Sequence, residues 1–449
     1  MRAATLDGDV LCWDEVLGDI APRPVPPKRF GTVVSCDGPL VEMAGLPVPV
    51  GTMCRIATPG GGETFAETVG FRDGRGLLML LGDSLCLEPG ALVRAEGQPG
   101  SVPVGEAFLG RAVDGTGAPI DGGPPVRSLE RWPLAGRRES ALARSSVAET
   151  FDCGVRAINA LTTLGIGQRM GIVAGSGVGK SVLIDMIARH ADTDIAVVAL
   201  IGERAREVSD FVSRHMTGAA AARTVVVAVP ADHAANLRLR GAEMAMSIAE
   251  YFRETGRRVT LIMDSLTRVA HAGREIGLLL GEPGAARGYP PSALSRITRI
   301  VERAGNSRMS GGAITGLFTV LADGDNHDDP VVDTARAILD GHIVLSRDLA
   351  QRGQYPAIDV PASLSRVMHD IVPHEQIVAA RQVRSWIADY EANRELVLMG
   401  AYREGADAAV DRAMAMNPAI RAFVSQAAEE DCTMGDSLSA MLALVDEAG

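Results

Sequence analysis

The sequence predicts an α/β fold in which a parallel sheet with crossover helices lies between a small β-barrel and a helical domain. Beyond a turn-rich stretch at 115–125, apolar runs typical of buried strands alternate with segments of helical periodicity, which is the pattern of a parallel sheet. From 29 to about 96, short alternating apolar runs are separated by glycine clusters, which favours a barrel or a sandwich. After about residue 366 the helical periodicity continues to the end, so we expect a helical bundle there.

A chain of 449 residues is too long for one compact core, and we expect it to divide into domains. The predicted segments are an amphipathic helix with a proline-rich linker at 1–27, a β-barrel at 28–97, an α/β core at 98–366 and a helical domain at 367–449. Apolar runs predict core strands at 169–174, 195–201, 224–229, 259–264, 313–321 and 342–345.

Composition excludes several classes of protein. The 44 Lys and Arg residues against 56 Asp and Glu give a net charge of −12, so we expect no nucleic-acid partner. No apolar run approaches the roughly 18 residues of a membrane span, and acidic residues interrupt the N-terminal segment, so we expect a cytoplasmic protein. The six cysteines lie far apart, which predicts neither a zinc site nor a disulfide framework.

A glycine-rich loop between an apolar strand and a helix is the strongest local signal. It opens with Ala174, where the strict phosphate-loop pattern has glycine, and a small residue still allows the turn. The backbone N–H groups and the positive end of the following helix would bind the phosphates of ATP, Lys180 would reach the β- and γ-phosphates, and Ser181 would bind Mg²⁺. Lys180 is one of only two lysines in the chain. The predicted nucleotide-binding residues of the loop are Gly175, Ser176, Gly177, Val178, Gly179, Lys180 and Ser181.

Two carboxylates at predicted strand ends are candidates for holding the metal and activating water. Asp264 closes the run at 259–264, where the second metal-orienting acid of such a fold belongs, although a helix N-cap is the alternative. Glu203 follows the strand at 195–201 within a dense group of charges. A general base is one interpretation of Glu203, and membership of a solvated charge cluster is the other.

Several further motifs lie along the chain, at 109–114 (Leu-Gly-Arg-Ala-Val-Asp), 174–181, 202–207, 264–268 continuing to 288–292, 340–347 and 355–359. In these motifs the chain resembles the catalytic subunits of rotary ATPases, and among them the type III secretion export ATPases of flagellar and virulence systems. The resemblance covers roughly residues 28–400, and 301–306 favours the flagellar branch. It implies that the segment 98–366 is a RecA-like ATPase domain.

The resemblance implies a role for each residue of the nucleotide site. Glu203 would activate the attacking water, and Lys180 and Arg206 would bind the phosphates. Asp264 would hold Mg²⁺, and Glu207 would contact the water shell of the metal. These roles agree with the chemistry expected at the carboxyl edge of a parallel sheet.

Two further residues implied by the resemblance require an assembly. Tyr355 would pack against adenine, and Arg366 would reach the site of a neighbouring subunit as an arginine finger, which typically raises the rate by about 10³ to 10⁵. The implied assembly is a homohexamer with a coiled-coil stalk protein in its central channel.

The acidic loop at 323–329 would face that channel. It lacks the glutamate and the glycine of a calcium loop at the required positions, so we expect a solvated loop rather than a metal site.

The helix around Trp13 has two interpretations, packing on its own barrel or docking a regulatory protein, and we favour docking because a proline-rich linker tethers it. The resemblance further implies contacts with export substrates, chaperones and export-gate membrane proteins, hence peripheral association with the inner-membrane export apparatus.

ATP hydrolysis that energises flagellar protein export is the leading hypothesis. A virulence-type secretion ATPase and the catalytic subunit of a proton-translocating ATP synthase share the same site and are the alternatives. A ring helicase is disfavoured, because the barrel has few aromatic residues and no basic stripe for stacking and binding a nucleic acid.

Overall fold

A computed structural model of the chain describes residues 29–82, 87–138, 140–321 and 329–447. The predicted N-terminal helix and its linker lie outside these residues, as does all of the acidic loop except Asp329. In the part of the chain that is described, no helix combines the length and the hydropathy needed to cross a membrane.

The first described domain is a closed β-barrel. Its strands pair in the order β1-β2-β5-β4-β3-β6. Alternate residues along these strands point into one apolar core that includes Val41, Ile56 and Leu78, because side chains of a strand alternate between its two faces. The strands are β1 (Phe30–Asp37), β2 (Leu40–Ala44), β3 (Met53–Ala57), β4 (Glu63–Arg72), β5 (Arg75–Leu80) and β6 (Leu92–Glu96).

The second domain is built on a mostly parallel sheet. Its strands follow the order β19-β18-β12-β17-β15-β13-β14-β8, with β16 paired to β17. The β18–β19 and β16–β17 pairs are antiparallel, and β7 and β10 pair with β9 and β11 outside this sheet. The remaining strands are β7 (Ser101–Pro103), β8 (Arg111–Val113), β9 (Arg131–Pro133), β10 (Thr150–Phe151), β11 (Leu164–Gly165), β12 (Arg169–Ala174), β13 (Ile195–Ile201), β14 (Thr224–Val229), β15 (Arg258–Asp264), β16 (Gly305–Asn306), β17 (Ala313–Leu321), β18 (Gly341–Leu345) and β19 (Ile358–Ser365).

Helices cover both faces of this sheet. One apolar layer joins it to α5–α8, and the other joins it to α1–α3 and to the C-terminal helices α11–α13. The helices are α1 (Arg156–Leu161), α2 (Lys180–His190), α3 (Ala205–His215), α4 (Gly218–Ala221), α5 (Ala235–Glu254), α6 (Leu266–Leu279), α7 (Pro291–Glu302), α8 (Pro330–Ile338), α9 (Arg347–Gln351), α10 (Met368–Ile371), α11 (His374–Leu398), α12 (Ala408–Val424) and α13 (Met434–Asp446). A parallel sheet covered in this way is the predicted α/β architecture.

The predicted core strands agree closely with the observed ones. Four have the predicted bounds, and β15 and β18 each begin one residue earlier than predicted. Continuous apolar runs such as β13 are buried along their whole length, which makes them easy to recognise. The edge strands β8 and β19 were not predicted, because β8 is only three residues long and β19 mixes exposed with buried residues.

A buried ion pair joins two helices under the sheet. The Arg303 guanidinium, which follows α7, donates to both carboxylate oxygens of Glu250 on α5 at 2.9 Å, and the Trp132 indole N–H donates to the same carboxylate at 2.8 Å. The two charged side chains are 9% and 2% exposed. Such a pair is costly to break, because the remaining charge stays buried without its partner.

Replacing Arg303 with methionine should therefore lower the free energy of unfolding by about 3–5 kcal/mol, seen as a lower denaturation midpoint. Arg257→Met is the control, because Arg257 pairs with Glu106 at 3.2 Å where both side chains are well exposed, and it should cost less than about 1 kcal/mol. A double variant, Arg303→Met with Glu250→Leu, should recover much of the loss. Equal denaturation midpoints for the two single variants would contradict the conclusion that breaking the buried Arg303–Glu250 pair is costly.

Candidate nucleotide-binding and hydrolysis site

The phosphate loop lies at the carboxyl edge of the sheet. Strand β12 ends at Ala174, and helix α2 begins at Lys180 directly after Gly179. Gly179 has a φ of +88°, a left-handed conformation that favours glycine, and it allows the chain to turn from the loop into the helix. The N-terminus of α2 therefore faces the space above the loop, where its unpaired N–H groups and its dipole favour an anion.

Lys180 lies between two buried carboxylates. Its Nζ donates to Asp264 Oδ1 and, at 3.4 Å, to Glu203 Oε1. Lys180 and Glu203 are each 9% exposed, and Asp264 is 4% exposed. The three residues meet because β12, β15 and β13 end at the same edge of the sheet. The structure thus brings together the predicted phosphate-binding lysine, metal ligand and general base.

Glu203 is turned into the site by the residue before it. Gly202 follows β13 with a φ of +71°, and a Cβ atom there would lie 2.7 Å from Cβ of Arg268. Burial raises the pKa of the Glu203 carboxyl above its ordinary value, the negative charge of Asp264 raises it further, and the Lys180 ammonium opposes both. A carboxylate of raised pKa is a stronger proton acceptor, as a general base requires.

Thr319 is a site residue that the sequence analysis missed. Its hydroxyl, fully buried in β17, donates to Asp264 Oδ1 at 2.6 Å. This hydrogen bond fixes the direction in which the Asp264 carboxylate points. The only signal in the sequence was a threonine near the end of an apolar run, which resembles an ordinary β-branched core residue.

A cavity of about 170 Å³ adjoins the lysine cluster. Its lining includes one hydroxyl and four carboxylates, those of Ser181, Glu203, Glu207, Asp210 and Asp264. Hydroxyl and carboxylate oxygens suit Mg²⁺, which is usually held by one or two protein ligands together with substrate phosphates. The described residues contain no cluster of three or more His, Cys, Asp or Glu that could hold a metal by themselves, and the donor set fits a metal that arrives with a nucleotide.

Other predicted site residues lie further from the lysine cluster. Arg206 on α3 is 90% exposed and pairs with Asp210 at 3.7 Å, so the structure does not bring it into the cluster.

Arg366 is exposed, and its Nη2 donates to the carbonyl of Arg336 at 3.2 Å. Because Ser365 pairs with Gly341 at the start of β18, Arg366 lies at the edge of the sheet opposite the phosphate loop of its own chain.

Tyr355 lies beside the phosphate loop. It belongs to the connection between α9 and β19, and two of its ring carbons lie 3.4 Å from the position of a Cβ atom on Gly179. The residue is 45% exposed. The residue therefore has accessible surface next to the loop, as a residue that packs against a nucleotide base requires.

Comparisons with known proteins agree with this geometry. Residues 154–365 match the ATP synthase alpha/beta family, nucleotide-binding domain, and residues 372–443 match the T3SS EscN ATPase C-terminal domain. The flagellum-specific ATP synthase of Salmonella typhimurium is 46% identical over 424 residues, which cover 92% of this chain and 93% of that protein. The chain belongs to the family of flagellar and type III secretion ATPases.

Further relatives of this ATPase include members of both branches. The type 3 secretion system ATPase of Xanthomonas euvesicatoria is 42% identical, over 94% of this chain and 95% of that protein. The structure of the assembled ATPase EscN from the enteropathogenic E. coli type III secretion system has a TM-score of 0.86 at 36% identity and covers 92% of this chain and 100% of EscN. EscN in complex with its central stalk EscO has a TM-score of 0.84 at 35% identity.

These matches confirm the predicted family, the predicted class of enzyme and the predicted fold. The domain bounds and the roles of individual site residues remain predictions.

Replacing Thr319 with valine should lower kcat/KM for MgATP by about tenfold and raise the Mg²⁺ concentration needed for activity, because partners that orient a metal ligand typically contribute 10- to 100-fold. ATPase assays over a Mg²⁺ titration measure both. Thr315→Val is the matched control, because Thr315 is a buried threonine of the same strand whose hydroxyl accepts from Gly167 N at 3.0 Å, away from Asp264. Equal losses in the two variants would contradict a role for Thr319 at the metal.

Proposed function

We propose that this ATPase hydrolyses MgATP to ADP and phosphate as a homohexameric ring and thereby energises type III protein export at the base of a flagellum. The observation that carries the proposal is the buried contact of Lys180 with Glu203 and Asp264 at the phosphate loop. A loop and a lysine would suffice to bind a nucleotide. The additional carboxylate of raised pKa supports hydrolysis.

The chain's own residues have distinct roles in this mechanism. The loop N–H groups and Lys180 bind the β- and γ-phosphates. Ser181 and Asp264 would hold Mg²⁺, and Glu207 would interact with the metal through water. The metal supplies positive charge that stabilises the developing negative charge on the phosphates. Glu203 accepts the proton of the attacking water. Arg206 would have to turn from solvent toward the phosphates.

The position of Arg366 supports a site shared between protomers. Because it lies at the edge of the sheet opposite its own phosphate loop, it suits contact with a neighbouring subunit rather than with its own nucleotide. In a head-to-tail ring, each protomer would offer one edge of the sheet to the next. The related EscN is known as an assembled ATPase, which agrees with this arrangement.

The proposed partners follow from the same relationship. EscN forms a complex with a central stalk, and we assign a coiled-coil stalk protein to the central channel of this ring. The segment 1–27 would dock a regulatory protein. The C-terminal helices would bind export substrates and chaperones. The ring would lie in the cytoplasm and associate with the export-gate membrane proteins at the surface of the inner membrane.

The surface of the barrel argues against a nucleic-acid partner. Three of the five arginines in its described residues, Arg55, Arg75 and Arg94, each pair with a glutamate at 3.1 Å or less, so these three do not contribute to a stripe of unpaired positive charge. A ring helicase would require such a stripe to follow the phosphate backbone.

Two other functions share the same site. The match of residues 372–443 to the EscN C-terminal domain favours an export ATPase over a subunit of a proton-translocating ATP synthase. Between the export branches, the 46% identity to a flagellar relative against 42% to a secretion-system relative favours the flagellum. The virulence-type ATPase is the second candidate.

ATP hydrolysis per protomer, measured as the protein concentration rises, tests the shared site. Specific activity should climb with concentration and reach a plateau in the wild type, and it should collapse in Glu203→Gln and fall by about 10³-fold or more in Arg366→Ala. Arg308→Ala replaces another exposed arginine, near the amino ends of β15 and β17, and should retain activity. Concentration-independent activity that survives Arg366→Ala would overturn the shared site.

A further inference from the structure

The connection between α12 and α13, residues 425–433, lies against the beginning of the ATPase core. The Arg156 guanidinium donates to the carbonyls of Phe423 and Ser425 at 3.2 and 3.1 Å and to Cys432 Sγ at 3.4 Å. At the other end of the connection, Met434 N donates to Asp152 Oδ2 at 2.7 Å. Both ends of this connection are thus hydrogen-bonded to residues 152–156, which follow β10 and include the first residue of α1.

Gln426 is a buried residue of this connection whose side-chain amide is fully hydrogen-bonded. It is 6% exposed. Its Oε1 accepts from Arg156 N at 2.8 Å, and its Nε2 donates to the carbonyls of Gly154 and Glu430, both at 2.8 Å. Both N–H groups of the side-chain amide and its oxygen are therefore used, and the backbone of Gln426 is held in one place.

The backbone of Gln426 in turn holds Tyr355. Its N–H donates to the Tyr355 carbonyl at 2.9 Å, while the Tyr355 ring lies beside Gly179 of the phosphate loop. Tyr355 belongs to a connection of the ATPase core and Gln426 to the C-terminal domain. One hydrogen bond therefore joins the C-terminal domain to the residue that borders the nucleotide site.

We propose that Gln426 is a positioning residue for the nucleotide base, because it holds the carbonyl of Tyr355 and so sets the place of the Tyr355 ring beside the phosphate loop. The inference rests on the proposed role of Tyr355 in packing against adenine. A shift of residues 425–433 would move the ring, so the position of the C-terminal domain would change the affinity for the base without any change at Glu203 or Lys180.

This role predicts a particular kinetic signature. Contact with the base is the same in the ground state and in the transition state, so its loss raises KM and leaves kcat unchanged. Gln426→Met keeps the length of the side chain and removes its amide. We expect KM for ATP to rise by about tenfold, the effect of losing one base-stacking contact. The inhibition constant of inorganic tripolyphosphate, which has no base, should stay the same.

Gln376→Met is the matched control. Gln376 is also a buried glutamine, 3% exposed, and it joins α11 of the C-terminal domain to Thr163 and Asn159 at 2.9 and 3.3 Å. It has no hydrogen bond to Tyr355 among the described contacts. The control should lower the melting temperature and leave KM for ATP unchanged. A rise in KM of equal size in both variants would mean a general loosening of the domain and would overturn the inference.

A cycle with Tyr355→Ala separates this inference from the proposed function. Tyr355→Ala should raise KM, and adding Gln426→Met should raise it no further. If Tyr355→Ala raises KM and Gln426→Met does not, Gln426 has no positioning role and the proposed function stands. If Tyr355→Ala leaves KM unchanged, the adenine contact and the inference both fail. Should Gln426→Met not fold, Gln426→Glu carries the same test, because a carboxylate cannot donate to the carbonyls of Gly154 and Glu430.

Discussion

The Lys180 ammonium is the charge on which the arrangement of the site depends. Glu203 follows β13, Asp264 ends the neighbouring parallel strand β15, and both are buried. Burial and the negative charge of Asp264 raise the pKa of the Glu203 carboxyl, so keeping Glu203 charged here is costly. A cation between them offsets this cost. Lysine provides a compact charge on a flexible stem, whereas a guanidinium is planar and larger. In a chain with 42 arginines and two lysines, the need for such a point charge accounts for a lysine at this position.

The site residues that could be predicted from the sequence are those that a local sequence pattern identifies. The phosphate loop and Glu203 each come after a continuous apolar strand, and Asp264 is the last residue of one. The carboxyl ends of parallel strands lie at the same edge of a sheet, so these residues are expected to meet there. Thr319 and Gln426 have no such signal. Thr319 resembles any β-branched strand residue, and the hydrogen bonds of Gln426 join segments that are distant in sequence, so only the tertiary structure brings them together.

The same distinction holds for the fold. Buried runs such as β13 and β17 were predicted with their observed bounds, because a strand covered on both faces is apolar throughout. The edge strands β8, which is short, and β19, which mixes exposed with buried residues, depend on pairing with a neighbouring strand, and a local sequence pattern does not reveal that pairing. Arg206 and Arg366 were predicted by resemblance alone. Their exposure in the single chain follows from the proposed roles, since Arg206 requires a bound phosphate and Arg366 requires a neighbouring protomer.

Mixing two inactive variants tests the shared site most directly. Glu203→Gln lacks the base and keeps Arg366, and Arg366→Ala lacks the finger and keeps Glu203. In a ring with the finger supplied by the neighbour, an Arg366→Ala protomer beside a Glu203→Gln protomer forms one complete site. ATPase activity of the mixture should then exceed that of either variant alone and reach a maximum near equal amounts. A mixture that stays as inactive as its components at every ratio, while the two proteins assemble together, would contradict the shared site.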